Sequence, residues 1–156
     1  MTERGLRPIG EVEPGERVSA FDFETGEWIL REVTERHDNL YHGPVVTVDL
    51  GVSKIETTVY HPFWVLDGRD LAERSQPREL QPHESEGLSL TGRWVNSHEL
   101  RAGDIVFGHD RLPHVIQSVS QRFEPDFPVS NLTIADRKST RLNSSHLRLS
   151  RMPSSA

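Results

Sequence analysis

A β-strand pattern with an interruption directly behind it occurs in the stretch Ile55-Glu56-Thr57-Thr58-Val59-Tyr60-His61-Pro62-Phe63-Trp64-Val65. Residues 54–59 alternate between apolar and polar side chains, which is typical of a strand with one buried face. Pro62 lacks a backbone N–H, so the ladder of hydrogen bonds must break or bend directly after His61. The stretch therefore predicts a strand over residues 54–59 that contains Thr58, with His61 at the strand end and a break directly behind it.

Thr58 and His61 are the candidate catalytic residues of this stretch. A neutral imidazole at a strand end can donate a hydrogen bond to a peptide group or transfer a proton near neutral pH. The Thr58 hydroxyl, three residues earlier, can orient that ring or polarise a carbonyl group. The alternative is structural: a strand-end histidine hydrogen-bonded to backbone beside an aromatic core residue. Spacing alone leaves both interpretations open.

The rest of the chain predicts an all-β fold, because strand patterns recur about every ten residues with turn chemistry between them. Strands are predicted at 17–23, 28–36, 45–50, 54–59, 113–121 and 127–134, turns at 24–27, 38–39 and 42–44, and a connection to the last strand at 124–126. A polar segment at about 67–92 breaks this rhythm and is expected to be a long surface loop, although a short helical turn fits residues 69–73.

Two segments of the chain share one pattern. They are Glu11-Val12-Glu13-Pro14-Gly15-Glu16-Arg17-Val18 and Glu99-Leu100-Arg101-Ala102-Gly103-Asp104-Ile105-Val106. Both read as Glu, aliphatic, charged, small or Pro, Gly, acidic, any residue, Val. A repeated turn followed by a strand suggests two related β-halves packed together. Chance similarity around a common glycine turn is the alternative.

Composition narrows the classes of function. The 156 residues suit one globular domain, at 34% hydrophobic and 27% charged, without a transmembrane run or a signal-peptide core. The absence of cysteine excludes disulfides, thiolate metal sites and a cysteine nucleophile within this chain. The net charge of −6 argues against nucleic acid as a partner. His37 and His42, or His109 and His114, lack the spacing of a zinc site, so no metal or cofactor is expected.

The last residues, 136–156, differ in character from the rest. Residues 136–146 back-translate into a common sequencing-library adapter, and residues 150–156 resemble the distal end of that adapter. The segment is therefore expected to be a disordered artefact tail, and the domain itself is predicted to span 1–135. Because the tail is basic, the remaining sequence is more acidic than the whole chain. A genuine basic, serine-rich tail is the alternative.

Thr58-Val59-Tyr60-His61 followed by Pro-Phe-Trp-Val resembles the TxxH block of the Hint superfamily, which comprises the self-cleaving domains of hedgehog proteins and inteins. Further segments match in order. Residues 5–9 and 12–22 resemble the first block after its nucleophile, 99–106 resembles the later L-x-x-G-D-x-V segment, and 129–134 is similar to the strand entering the penultimate block. The resemblance covers roughly residues 2–135 and is closest to the HINT domain of bacterial polymorphic toxins.

This resemblance implies two pseudo-twofold related β-subdomains and an autoprocessing activity. In the family, a side-chain nucleophile attacks the carbonyl just before it, and a second nucleophile resolves the resulting thioester or ester. By resemblance, His61 protonates the leaving amide nitrogen and Thr58 orients or polarises the bond. The implied partners are covalently flanking domains of a bacterial secreted or cell-surface parent polypeptide, which releases a C-terminal toxin-type module. Neither the resemblance nor the sequence implies an oligomeric state.

The sequence departs from the family pattern at both ends. The family places Cys or Ser directly after the scissile bond, whereas Met1 and the residues behind it enter at the following turn. The later His block and the terminal Asn cannot be placed, because His146 and Asn143 lie in the adapter-like tail. The chain is thus expected to be a fragment, incomplete at both ends, that does not cleave itself.

The sequence is also compatible with two other functions. The first is a non-catalytic β-rich linker or binding module that keeps the same scaffold. The second is a carbohydrate-binding module that uses Trp28, Trp64 and Trp94, which would need several rings on one exposed face. We expect these tryptophans to be core anchors instead.

Overall fold

The computed structural model describes residues 1–22, 25–77, 91–108 and 110–135. These ranges hold two antiparallel sheets built from eight β-strands, together with single-turn 3-10 helices at Ile9–Glu11, Leu71–Glu73 and Ser97–Glu99. The strands are β1 Arg17–Asp22, β2 Glu27–Asp49, β3 Lys54–Thr58, β4 Pro62–Asp67, β5 Arg93–Asn96, β6 Ile105–Phe107, β7 Pro113–Val115 and β8 Ser118–Ile134. The all-β prediction is confirmed. The predicted tail 136–156 and residues 78–90 of the predicted polar loop lie outside the described residues.

A long antiparallel ribbon of β2 and β8 organises the molecule. The two strands pair from Val33 opposite Ile134 to Asp49 opposite Ser118. β1 pairs with the beginning of β2, and β3 pairs with its end. The second sheet has the order β5-β4-β6-β7. The ribbon therefore connects the amino-terminal part of the chain with the part that carries Thr58.

The turns predicted at 38–39 and 42–44 are wrong, and so is the predicted separation of two strands at 124–126, since β2 and β8 run through all of these residues. An irregularity in the pairing between Tyr41 and Gly43 takes up the turn-forming residues. A Cβ atom at Gly43 would lie 2.8 Å from the Tyr41 hydroxyl, so a larger residue there would require the Tyr41 ring to shift. Bulges of this kind accommodate glycine and proline inside a strand. The pairing with a strand about 80 residues away overrides local turn propensity.

Each end of the ribbon carries its own hydrophobic core. The first core consists of Ile9, Val12, Val18, Ala20, Val33, Leu132 and Ile134. The second core consists of Val46, Val48, Leu50, Val65, Val95, Leu100, Val106 and Ile116. Both cores are almost entirely aliphatic and β-branched, as expected for side chains that pack on pleated sheets. The fold thus has two β-halves that share the β2–β8 ribbon.

The two copies of the repeated sequence fold in the same way, one in each core. In the first copy, the Glu13 N–H donates to the Glu16 carboxylate over 2.8 Å. In the second copy, the Arg101 N–H donates to the Asp104 carboxylate, also over 2.8 Å. A 3-10 helix precedes the turn in both copies. The shared sequence pattern therefore corresponds to a shared local structure.

A buried ion pair ties the segment after β4 to the second copy. Both Arg74 and Asp104 are 2% exposed, and their hydrogen bonds measure 2.6 and 2.9 Å. The hydrogen bonds that Arg74 donates to the Asp104 carboxylate raise the pKa of Arg74 above its ordinary value. Arg93 donates to the carbonyls of Leu71 and Arg74 over 2.9 and 2.6 Å. The first part of the predicted surface loop is therefore anchored, around a 3-10 helix close to the predicted helical turn.

The three tryptophans are half-buried, so the expectation that they anchor the core is wrong. Trp64 and Trp94 face each other on neighbouring strands and pack edge to face, with ring centroids 5.3 Å apart. Trp28 packs in the same manner against Phe21 at 5.5 Å. The aliphatic side chains of the two cores leave these large rings at the sheet surfaces.

None of the described residues belongs to a helix with the length and apolar character that crossing a membrane requires.

Candidate functional site

Thr58 and His61 lie at the two ends of one tight turn. β3 ends at Thr58 and β4 begins at Pro62, as the missing N–H of that proline demands. The His61 backbone N–H donates to the Thr58 carbonyl oxygen over 3.2 Å. Both side chains are buried, at 8% and 7% exposure. The structure therefore brings the two predicted site residues together.

The His61 ring is oriented by its aromatic neighbour. It packs edge to face against Phe63, with ring centroids 5.3 Å apart and an interplanar angle of 89°. Such a contact favours one ring orientation and limits rotation of the imidazole. The ring orientation is thus set by the first residues of β4.

A dipeptide from a distant part of the chain binds the carbonyl groups of this turn. The Ser97 hydroxyl donates to the Thr58 carbonyl over 2.6 Å, and the Ser97 N–H donates to the His61 carbonyl over 2.8 Å. The His98 N–H and Nδ1 approach the Val59 carbonyl at 3.2 and 2.7 Å. Because a carbonyl oxygen can only accept, Nδ1 of His98 carries the proton. We call this pair of residues the Ser97–His98 strap.

A groove of about 250 Å³ opens beside the turn. It lies between the end of β3 and the middle of the β2–β8 ribbon. Its walls are formed by His37, Asn39, Tyr41, Thr57, Thr58, Tyr60, Val129, Ser130 and Asn131. Thr58 thus contributes directly to the groove, whereas His61 is not one of the lining residues.

The groove combines apolar surface with hydrogen-bonding groups. The Thr58 hydroxyl is buried and has no hydrogen-bond partner among the described residues. Burial raises the pKa of Tyr41 above its ordinary value, so its phenol stays a hydrogen-bond donor at neutral pH. His37 contacts the Thr133 hydroxyl through Nε2 at 3.2 Å. These groups suit a ligand with alternating donors and acceptors, such as a peptide backbone.

The groove residues contributed by the β2–β8 ribbon are not among the candidate residues predicted from the sequence. His37, Asn39 and Tyr41 follow each other at intervals of two, which places their side chains on one face of a strand. That signal was obscured by the predicted turns at 38–39 and 42–44. Val129 and Asn131 show the same spacing within the predicted strand 127–134, which lies inside the longer β8. Period-two spacing was therefore the available clue.

Within the described ranges, His, Asp and Glu side chains nowhere gather in groups of three that could hold a metal ion.

Comparison with known proteins gives likeness in structure only. Neither the family models nor the curated proteins contain a match to the sequence. The bacterial intein-like domain from Clostridium thermocellum superposes with a TM-score of 0.64 at 22% identity, covering 87% of this chain and 81% of that one. The PabCDC21-1 intein gives 0.55 at 15% identity, covering 90% and 77%. An intein from a hyperthermophile gives 0.53 at 18% identity, covering 86% and 71%. The chain therefore has the intein-type (Hint) fold.

Proposed function

We propose that the chain is a fragment of the autoprocessing domain of a larger polypeptide, and that the complete domain promotes intein-type cleavage of a peptide bond that flanks it. One observation carries the proposal: Thr58 and His61 share a single buried turn, and Thr58 forms part of the wall of a groove. The intein-type fold supports it. In this proposal residues 1–135 are the part of that domain which this chain carries, and the partners of the domain are the covalently attached flanking domains.

The proposed reaction is an acyl shift at that peptide bond. A hydroxyl or thiol of a flanking residue attacks the preceding carbonyl carbon, so that a C–O or C–S bond forms as the C–N bond breaks. The proton lost by the nucleophile is balanced by the proton that the amide nitrogen gains as it leaves as an amine. Water or a second nucleophile then cleaves the ester or thioester.

Thr58 and His61 have separate roles in this reaction. The imidazole of His61 delivers the proton to the leaving nitrogen, because an amine is a far better leaving group than an amide anion. The Thr58 hydroxyl donates a hydrogen bond to the carbonyl oxygen, where negative charge develops during the attack. The burial of both groups strengthens these interactions, since little water competes for them.

We further propose the setting that the sequence resemblance implies. The parent is a bacterial secreted or cell-surface protein of the polymorphic-toxin type, and cleavage releases its C-terminal module. The scaffold then serves to hold the scissile bond beside the turn that carries Thr58 and His61 until cleavage occurs.

The test uses the parent polypeptide, obtained by resequencing the source locus across both ends of the chain. Purified parent is incubated and its products are identified by intact-mass spectrometry. We expect time-dependent cleavage that His61→Ala slows by about 100-fold or more, the usual contribution of a general acid. His42→Ala is the matched control, because His42 is an exposed histidine that packs on Phe123. A stable parent, or equal rates in both variants, would favour a non-catalytic linker or binding module instead.

A further inference from the structure

We infer that the Ser97–His98 strap is a positioning element of the site, which holds the turn from Thr58 to His61 in the geometry that the reaction requires. This inference rests on the proposed function. It assigns a role to two residues that the sequence analysis did not connect with the turn. Neither residue lines the groove, so they act on the site through the turn and not by contact with the scissile bond.

The strap makes the shortest hydrogen bonds of the turn. Its bonds from the Ser97 hydroxyl, the His98 ring and the Ser97 N–H measure 2.6, 2.7 and 2.8 Å. The turn's own bond, from the His61 N–H to the Thr58 carbonyl, measures 3.2 Å and lies at the long end of the normal range. The conformation of the turn is therefore determined mainly by the strap.

Ser97 is fully buried, and its hydroxyl therefore acts away from water. If that hydroxyl were removed, the Thr58 carbonyl would keep the longer bonds of 3.2 Å from the His61 N–H and 3.4 Å from the Thr57 hydroxyl. A buried carbonyl that loses its best hydrogen-bond donor is destabilised. Any movement of the turn that gives this carbonyl a better donor is then favoured. The expected consequence is a turn that opens more often.

The strap belongs to a rigid part of the molecule. Ser97 begins the 3-10 helix of the second repeat copy, and its carbonyl accepts the Leu100 N–H over 3.2 Å. Leu100 is part of the second core. Site residues supported by a packed core keep their geometry better than residues supported by a loop alone. The strap thus transfers the rigidity of the second core to the turn.

His98 also orients a side chain of the groove. Its ring packs edge to face against Tyr60, with centroids 5.4 Å apart, and Tyr60 lines the groove. The same imidazole donates from Nδ1 to the Val59 carbonyl. His98 therefore fixes both the backbone of the turn and one aromatic wall beside it, although its own side chain is exposed.

The first experiment measures hydrogen exchange at the His61 amide by NMR in the chain as it stands. We compare Ser97→Ala with Thr34→Val, a variant that also loses a hydroxyl donor to a carbonyl, that of Thr133, but at the other end of the ribbon. Ser97→Ala is expected to accelerate exchange at His61 by about tenfold beyond the change in global stability, since the turn opens locally. Thr34→Val is expected to show no such local excess.

The second experiment follows cleavage of the parent polypeptide. Ser97→Ala and His98→Ala are each expected to slow cleavage by about tenfold to 100-fold, because a displacement near 1 Å has effects of that size. His98→Asn is expected to restore most of the rate, since its amide N–H can replace Nδ1–H as donor to the Val59 carbonyl. Because His98 is exposed, His98→Ala and His98→Asn still test the strap if Ser97→Ala folds poorly.

The outcomes separate this inference from the proposed function. A wild-type parent that does not cleave refutes the proposed function, and with it the role of the strap in catalysis. If the parent cleaves, and the Ser97→Ala and His98→Ala variants cleave as fast as Thr34→Val, the positioning role of the strap is refuted while the proposed function stands. Local exchange at His61 that is the same in Ser97→Ala and Thr34→Val also overturns it.

Discussion

Gly15 and Gly103 are structural equivalents, with the same φ of +93° and the same pattern of hydrogen bonds in their two β-halves. The Gly15 N–H donates to the Val33 carbonyl and the Gly103 N–H to the Ile116 carbonyl, both over 2.8 Å. Val33 and Ile116 each return a bond of 2.8 Å to the carbonyl of the residue after the glycine. The two turns are therefore copies at the level of single hydrogen bonds.

Replacing either glycine by alanine is expected to destabilise the fold. Side chains at positive φ cost about 1–2 kcal/mol, because Cβ crowds the backbone. Gly15→Ala and Gly103→Ala should each lower the free energy of unfolding by that amount in urea titrations. Gly10→Ala is the control, since Gly10 lies within a 3-10 helix at ordinary φ. Equal effects at all three positions would contradict the role of positive φ, and clearly different losses for Gly15→Ala and Gly103→Ala would contradict the equivalence of the two turns.

The arginines that pair with the acidic residues of the two turns differ in burial. This difference predicts that their replacement by alanine lowers stability by very different amounts. Arg74 and Asp104 are 2% exposed, whereas Arg7 and Glu16, which form the corresponding pair at 2.5 Å, are 29% and 20% exposed. Arg74→Ala leaves a buried carboxylate uncompensated and is expected to cost about 3–5 kcal/mol. Arg7→Ala should cost about 1 kcal/mol or less, as is usual for pairs open to water.

Chemical denaturation of the two arginine variants, side by side, measures this asymmetry. The comparison is well matched because both substitutions remove an arginine that pairs with the acidic residue of a repeated turn. Similar losses of stability for the two variants would show that burial does not govern the energetics of these pairs.

Glu16 predicts how stability depends on acid pH. The hydrogen bond from the Glu13 N–H, followed by the charge of Arg7, lowers the pKa of Glu16 below 4.5. A carboxylate with a lowered pKa in the folded state stabilises the fold above its unfolded pKa, and this contribution is lost as the pH falls through the folded pKa. Below pH 4.5, wild-type stability should therefore fall more steeply than that of Glu16→Gln.

Thermal unfolding at a series of pH values tests this prediction. Glu27→Gln is the control, because Glu27 is an exposed carboxylate at the start of β2. The control should follow the wild-type curve. Parallel curves for wild type and Glu16→Gln would disprove the assigned role of Glu16.

Thr58→Val is expected to separate function from stability. Valine has nearly the same shape as threonine, and the buried Thr58 hydroxyl has no hydrogen-bond partner among the described residues. The variant should therefore be as stable as wild type or slightly more stable, while parent cleavage slows. Thr34→Val should lose about 1 kcal/mol, because Thr34 donates a hydrogen bond over 3.1 Å to the Thr133 carbonyl. A clear loss of stability in Thr58→Val would instead indicate a structural hydroxyl.

The sequence by itself determined the features that depend on neighbouring residues. Alternation predicted a strand over 54–59, close to the observed β3, and Pro62 predicted a break directly after His61, where β4 begins. The repeated glycine and acidic positions predicted two related β-halves. These predictions succeeded because turn conformation, the missing N–H of proline and the period of two act within a few residues of one another.

Only the tertiary structure decided which distant segments meet. The continuity of β2 comes from its pairing with β8, which overrode the turn preference of residues 42–44. The strap reaches the site because β5 pairs with β4 and so places Ser97 beside the turn. The burial of Arg74 follows from the same sheet. Such contacts depend on strand register and on the exclusion of water from the two cores, and a local sequence pattern specifies neither.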